Sequence, residues 1–501
     1  MPNGLCSTWT LHGGCVNRDE ESVFYRDSQA VFECLYFRKK ELHFTDFGTN
    51  EVITVSAHVN LKNDKKTIFG WCMYDWANSA FILTVVTAVL PVYFAGVVVP
   101  KEGFNIGGTI YSATSLWGFV ISSSALFVFL CAPVLGAIAD FSSSKKKFLM
   151  AFCYTGSLFT VLLYFCGTGD VWMTMIILAI AQIGFVGGNV FYDSLLTKIA
   201  SPDKMDWVSG KGFAYGYIGS DIQFLISLGL IMGHESFGLS QNDAVRMVLV
   251  FSGIWWAGFS IFTWMLVYEE KSQGVLPEAY RNKPIIIAYI LTGLQRTVIT
   301  TRKVGKLKHL ILFLLAFMLY NEGIQTVIVM ATIYGKEELQ LSTSVLMITL
   351  LIIQLVATGG ALGFSKLAER FGTKNTIMLT LLLWSGVVVY AFYMTTSAEY
   401  MMLGIVVGII LGASQSLSRS YYGAMIPEDA AAEFYGFYSV FTKFSAIWGP
   451  LAFAIIRQVT GSSRLSILSL IVFFIGGMVL LFFVDEEKAR EAKQITLNND
   501  Q

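Results

Sequence analysis

From Phe69 to Val484 the chain is a succession of apolar runs, each about 20 residues long, separated by short polar breaks. That is the length a helix needs to cross the hydrocarbon of a bilayer. The runs fall near 69–95, 112–138, 147–167, 171–197, 209–233, 245–268, 309–334, 343–364, 376–396, 400–424, 435–457 and 465–484. They number twelve, and the widest interruption lies between the sixth and seventh. Composition agrees: 54% of the 501 residues are apolar and 14% are charged, where soluble domains carry about a quarter. The expected fold is an all-α membrane protein of twelve transmembrane helices in two six-helix bundles, with the lipid bilayer as its first partner.

Lys and Arg placement tests the count. One side of the membrane collects Lys62, Lys65, Lys66, Lys145 to Lys147, Lys198, Lys204, the central segment, Lys366, Arg370, Lys374, Lys488 and Arg490. The opposite loops hold little beyond Lys101, Arg246, Lys336, Arg457 and Arg464. Cytosolic loops carry the excess of positive charge, so both termini and the central loop are expected in the cytosol. Twelve spans, not eleven, keep that bias consistent. The chain then divides into an N-terminal extension (1–60), a first bundle (61–270), a central loop (271–308), a second bundle (309–485) and a tail (486–501). The extension is mixed and polar and lacks the layout of a signal peptide. It reads as a poorly ordered tail, a small regulatory segment or a start codon placed too early; Val59 is the alternative start. The central loop reads as a tether, with Ile285 to Ile299 a short amphipathic helix on the cytosolic surface.

The two halves repeat one another. Gly136-Ala-Ile-Ala-Asp140 followed by Ser142-Ser143-Ser144-Lys145 closes the second span, and Ala368-Glu369-Arg370-Phe371-Gly372-Thr373-Lys374 closes the eighth. Aligning Asp140 on Glu369 places Lys145 on Lys374. The fourth and tenth spans end in Pro202-Asp203 and Pro427-Glu428, and the fifth and eleventh open on Gly212-Phe213 and Gly436-Phe437. Such repetition is how major facilitator transporters are built, with the substrate near the midplane between halves. Phe141 and Ser143 depart from the usual Arg and Gly of that superfamily's loop marker.

A more specific resemblance rests on longer motifs. Tyr74-Asp-Trp-Ala-Asn-Ser-Ala-Phe81, Phe191-Tyr-Asp-Ser-Leu195, Trp255-Trp256, Tyr320-Asn-Glu-Gly-Ile-Gln-Thr326, Gly412-Ala-Ser-Gln-Ser-Leu-Ser-Arg-Ser420 and Gly436-Phe-Tyr-Ser-Val-Phe-Thr-Lys443 occur in that order. Together they resemble the major facilitator family that includes the autophagy-related vacuolar amino-acid effluxer of fungi and its prokaryotic relatives. Glu322 stands where that family usually has Asp. The resemblance runs from about residue 66 to 485, and it implies export of neutral amino acids such as leucine.

Six ionisable residues fall inside the spans: Asp75, Asp193, Asp221, Glu322, Arg419 and Lys443. A charge in a bilayer helix costs several kcal/mol on insertion scales, so each should face protein or a water-filled path. Asp75, Asn78 and Ser79 lie at i, i+3 and i+4 and share one helical face. Glu322, Gln325 and Thr326 repeat that pattern in the matching helix of the other half, and Gln415 lies one turn before Arg419. Glu322 is 13 residues past His309, roughly 20 Å along a helix and hence near the midplane. Two roles stay open for Arg419: latching Asp193 or Asp75, or binding a substrate carboxylate with its bidentate fork. Two also stay open for Glu322: coupling a proton or holding an amine, or pairing with Lys443. Asp75, Asn78, Ser79, Glu322, Gln325, Gln415 and Arg419 are thus the candidates for binding or coupling. Asp140, Lys145, Glu369, Arg370 and Lys374 are candidate gate charges, and Asp193, Asp221 and Lys443 candidate structural ones.

Other classes fit poorly. No nucleotide-binding motif or hydrolase constellation is present, so no enzyme activity is expected. The seven cysteines lack metal-ligand spacing, and no cofactor is expected beyond a coupling proton. A formal net charge of zero argues against nucleic acid. The expected function is a secondary active transporter of a small molecule working by alternating access, with no oligomer required. The cell membrane is the expected location, or a vacuolar-type membrane in a fungus. Transport of another metabolite, such as a sugar or organic cation, and a receptor or scaffold that has lost transport are the alternatives.

Overall fold

Asp64 opens the membrane domain: its carboxylate accepts the Thr67 backbone N–H at 2.8 Å, filling one of the donor sites that every helix start leaves unpaired. The computed structural model describes residues 62–269, 277–444, 448–489 and 491, together with five strands between residues 15 and 56. Side chains of some residues within helices, Lys443 among them, lie outside the described residues.

The strands form a unit of their own. β1 (Cys15–Arg18), β2 (Glu21–Arg26), β3 (Ala30–Leu35), β4 (Glu41–Thr45) and β5 (Val52–Ser56) pair antiparallel in sequence order. They lie within the N-terminal extension expected over residues 1–60. The segments Glu21-Ser-Val-Phe-Tyr-Arg26 and Val52-Ile-Thr-Val-Ser56 carry the β-branched and aromatic residues that favour pleated strands, a signal far shorter than a membrane span.

In the second unit the first crossing, α1, runs Lys65–Val98. It is α-helical over Lys65–Ala80 and widens into π turns over Phe81–Val89 and Phe94–Val98, flanking a short α segment that holds Pro91. A hairpin of β6 (Phe104–Ile106) and β7 (Thr109–Tyr111) leads to α2 (Ala113–Ser142). Then come α3 (Lys145–Leu162), α4 (Val171–Ile199), α5 (Met205–Met232) and α6 (Gln241–Leu266). The central segment contains α7 (Ile285–Lys306), which runs about two turns beyond the expected Ile299. The second half holds α8 (Lys308–Glu337), α9 (Thr343–Phe371), α10 (Thr373–Tyr393), α11 (Ser397–Met425), α12 (Ala431–Phe444), α13 (Trp448–Thr460), α14 (Ser463–Ser469) and α15 (Ile471–Phe482).

Among the described residues eleven helices are long and apolar enough to cross a membrane. They match eleven of the twelve expected spans. The other, near 435–457, is divided between α12 and α13, and residues 445–447 between them lie outside the described residues. Several helices on the side away from the basic loops start on hydroxyl caps: Ser112, Ser240, Ser342 and Thr396, the last in a capping box with Glu399.

Each half has its own aromatic core. Trp71, Tyr74 and Trp256 are fully buried in the first, and Trp384 stacks on Phe474 at 5.6 Å in the second. Helices touch where side chains vanish: a Cβ on Gly184 of α4 would stand 2.6 Å from the Gly156 Cα of α3, the small-residue contact that lets membrane helices approach. The same constraint acts on Gly449 at the start of α13, where a Cβ would meet the Thr326 hydroxyl and come within 3.0 Å of the Glu322 carbonyl. Gly449→Ala is therefore expected to destabilise the second half by about 1–3 kcal/mol, the usual cost of overpacking. Thermal unfolding of the purified protein checks it, and an unchanged midpoint would show that α13 yields freely.

Candidate functional site

The signature stretch of α1 faces a cavity of about 410 Å³ between the two halves. Asp75, Asn78, Ser79 and Ile82 from α1 line it, with Asn189 and Asp193 from α4 and Phe213, Tyr217 and Ser220 from α5. The second half contributes Gln354 from α9, Gln415 and Arg419 from α11, and Ser439 from α12. The i, i+3, i+4 spacing of Asp75, Asn78 and Ser79 does what its geometry requires and puts all three on one wall.

Arg419 sits at one end of this cavity and belongs to both halves at once. Its Nη1 lies 3.1 Å from Asp193 Oδ1 and 3.5 Å from Asp75 Oδ2. Its Nε donates to Ser209 Oγ at 3.0 Å and its Nη2 to the Ser209 carbonyl at 2.8 Å. The guanidinium lies 4.2 Å from the ring centre of Phe213 and 5.0 Å from that of Trp71, within cation–π range. Every nitrogen of the fork is thereby engaged, and its side chain is only 4% exposed. Of the two roles open to Arg419, this conformation displays the latch. It joins both carboxylates rather than one.

The carboxylates are held in turn. The Tyr192 hydroxyl donates to Asp75 Oδ2 at 2.7 Å, and the Trp71 indole N–H donates to the Tyr192 carbonyl at 2.9 Å, with the two rings stacked at 4.4 Å. Asn78 Nδ2 donates to Asn189 Oδ1 at 2.6 Å, and Tyr217 donates to Gln415 Oε1 at 2.8 Å. Asp193 and Asp75 keep 19% and 13% of their side-chain surface exposed, toward a cavity that both line. Two carboxylates against one guanidinium leave the site one negative charge in excess when both are ionised. Tyr192→Phe removes a donor to a buried charged group, for which a loss of about 1–3 kcal/mol is expected. Chemical denaturation against wild type checks that value, and no loss would show that another donor takes over.

Between this cluster and the basic loops the halves are tied together. Ser209 Oγ donates to the Ser416 carbonyl at 2.7 Å, and Asp206 accepts from Thr373 at 2.6 Å and from Ser420. Asp140 forms a 2.6 Å pair with Lys145 and accepts the backbone N–H groups of Glu433 at 2.9 Å and Ala432 at 3.3 Å. An anion at a helix start is favoured by the local dipole, and here the helix, α12, belongs to the opposite half. Lys198 reaches Asp429 at 2.8 Å and Lys204 reaches Glu369 at 3.9 Å, both across the halves. The Lys198 hydrogen bond holds the Asp429 carboxyl below its usual range. Its contribution is complete above the ordinary carboxylate range and is lost as pH falls through the lowered value.

The remaining candidates separate. Glu322 is 2% exposed, and its carboxylate accepts the Gly449 backbone N–H at the start of α13; neither it nor Gln325 is among the residues lining the cavity. The Lys443 side chain lies outside the described residues. Lys374 donates to the Phe482 and Val484 carbonyls at 2.7 and 2.6 Å, within its own half, so it closes a helix end, whereas its repeat partner Lys145 pairs with Asp140. Arg370 lies over the neighbouring Phe371 ring. Asp221 is buried beyond Ser220, with its Oδ1 unpaired among the described residues. Ser209, Asp206, Gln354 and Asp429 were not singled out in the sequence, and Thr373 stood inside the motif that closes the eighth span. Tyr192 and Phe213 stood inside motifs that were.

Residues 63–494 match the family described as "Vacuole effluxer Atg22 like". The chain belongs to this family. It is 34% identical to the uncharacterized MFS-type transporter YxiO of Bacillus subtilis, over 87% of this chain and 98% of that one. It is 22% identical to autophagy-related protein 22 of Pichia angusta, over 83% and 91% of the two chains. Its fold is similar to that of the major facilitator transporter FucP in the outward conformation, with a TM-score of 0.64, 11% identity, and coverage of 85% and 99%. This Atg22-like chain therefore has the major facilitator fold. It is an integral membrane transporter of a small molecule and not an enzyme.

Proposed function

We propose that this Atg22-like transporter exports a neutral amino acid such as leucine by alternating access, coupled to protons. The observation that carries the reading is the pair Asp75 and Asp193, held by one arginine and open to a cavity that also has an aliphatic and aromatic wall. An ammonium group complements the excess negative charge, and Ile82, Phe185, Val186 and Leu411 accommodate an aliphatic side chain. A substrate carboxylate competes for Arg419 with Asp193 and Asp75. With the latch broken the cavity turns toward the other face, where an exported substrate loads onto Arg419, and re-forming the latch expels it.

The ties on the basic side make this the conformer closed to the cytosol, if both termini lie there as the distribution of Lys and Arg indicates. A cell membrane is the location proposed, with a vacuolar-type membrane the alternative in a fungal cell. One copy of the chain supplies the whole cavity and its latch, so no oligomer is needed for transport. An organic cation is the second reading, since it would meet the same two carboxylates.

Counterflow of labelled leucine in proteoliposomes, with and without an imposed pH gradient, tests the proposal. Saturable flux that responds to the gradient, and loses that response in Asp193→Asn, is the expected result. Saturable flux of an organic cation with none of leucine would overturn the substrate. Leucine flux indifferent to the gradient would overturn the coupling.

A further inference from the structure

Helix α7 has two faces, and they are not those of a solvated tether. One packs on the basic-side end of α2: Tyr289 meets Phe141 edge-on at 5.8 Å, Arg296 lies over the same ring, and a Cβ on Gly293 would stand 2.6 Å from the Ile138 side chain. Ala288, Thr292 and Thr300 are buried along that face. The opposite face carries Ile287, Ile290, Leu294 and Val298, spaced at three and four residues as one helical stripe requires. They are between 44% and 52% exposed, and Ile285 adds to the same end of the helix.

An aliphatic stripe of this kind would be costly in water. Ile138 and Phe141 are among the last residues of a membrane span, so α7 lies at the level where hydrocarbon gives way to headgroups. Cationic residues bracket it: Arg281 and Lys283 precede the stripe, and Arg302, exposed on the last turn, follows it. Amphipathic helices with this distribution lie in the plane of the interface, apolar face down, with basic residues toward anionic headgroups.

We propose that α7 is docked in the leaflet on the basic side of the membrane and that its flanking arginines and lysine bind anionic phospholipid headgroups. The connection between the two halves is then a lipid-binding element. The charge complementarity commits the face to anionic lipid rather than to a second copy of the chain.

The full chain in nanodiscs of mixed phosphatidylcholine and phosphatidylglycerol provides the test. A benzophenone amino acid replaces Leu294, and in a separate control Ile254, exposed on α6. After illumination, intact mass is expected to show phospholipid adducts at both positions. The phosphatidylglycerol share at position 294 should be roughly two-fold above that at 254, and Arg302→Gln should bring it back toward the control. Adducts at 254 but none at 294, or a covalent dimer through 294, would overturn the docking. Equal phosphatidylglycerol shares at the two positions would overturn the headgroup assignment.

Discussion

Arg419→Lys is expected to reduce transport to background and to destabilise the protein nearly as much as Arg419→Ala. Arg419 uses three nitrogens in three directions: Nη1 to the carboxylates of Asp193 and Asp75, Nε to the Ser209 hydroxyl, and Nη2 to the Ser209 carbonyl. A lysine ammonium is a compact point charge without that planar fork and cannot span the set. Removing the charge altogether leaves two buried carboxylates facing one another, and breaking a buried pair in this way costs about 3–5 kcal/mol. Thermal unfolding and proteoliposome flux should therefore fall together. The triple replacement Arg419→Ala, Asp75→Asn, Asp193→Asn removes all three charges and is expected to restore much of the stability but none of the transport. A lysine variant that transports at wild-type rate would mean that the fork is dispensable and that charge alone holds the latch.

Gly136→Val is expected to shift the conformer population away from closure on the basic side. A Cβ at this position of α2 would stand 2.6 Å from the Ala432 carbonyl carbon and 2.7 Å from the Glu433 nitrogen, at the start of α12. Those atoms are backbone, and they belong to the helix start that Asp140 holds. No side-chain rotation relieves the overlap, so the two halves must separate there. The gate is a contact between halves and not within one, so the fold should survive while the closed state is lost. Double electron–electron resonance between spin labels on Lys198 and Asp429, which face each other in the closed state, would read the separation. A broadened, longer distance distribution is expected. An unchanged distribution in a folded protein would show that α12 slides to accommodate the methyl groups without opening.

The spans were legible because a run of about 20 apolar residues reports bilayer thickness directly. Nothing about neighbours has to be known. The cavity wall from Asp75 to Ser79 was legible for a similar reason, since spacing along one helix fixes a face. What spacing does not fix is which helix that face meets. Glu322 and Gln325 repeat the Asp75 and Asn78 pattern, yet Glu322 closes the start of α13. Asp206 and Ser420, 214 residues apart, have no pattern that joins them before the halves are folded. The strands of the first unit went unread because their period is two and their length four to six residues.

The wide turns of α1 begin two residues after Ser79. In such turns each residue advances the chain around the helix axis by a smaller angle than in an α-helix, because the hydrogen bond closes on the fifth residue rather than the fourth. If Phe81–Val89 tightened to α geometry, the last quarter of the crossing would rotate about its own axis while Asp75, Asn78 and Ser79 stayed in register with α4 and α5. The π turns thus mark the place in the first helix where a change of hydrogen-bond register would act.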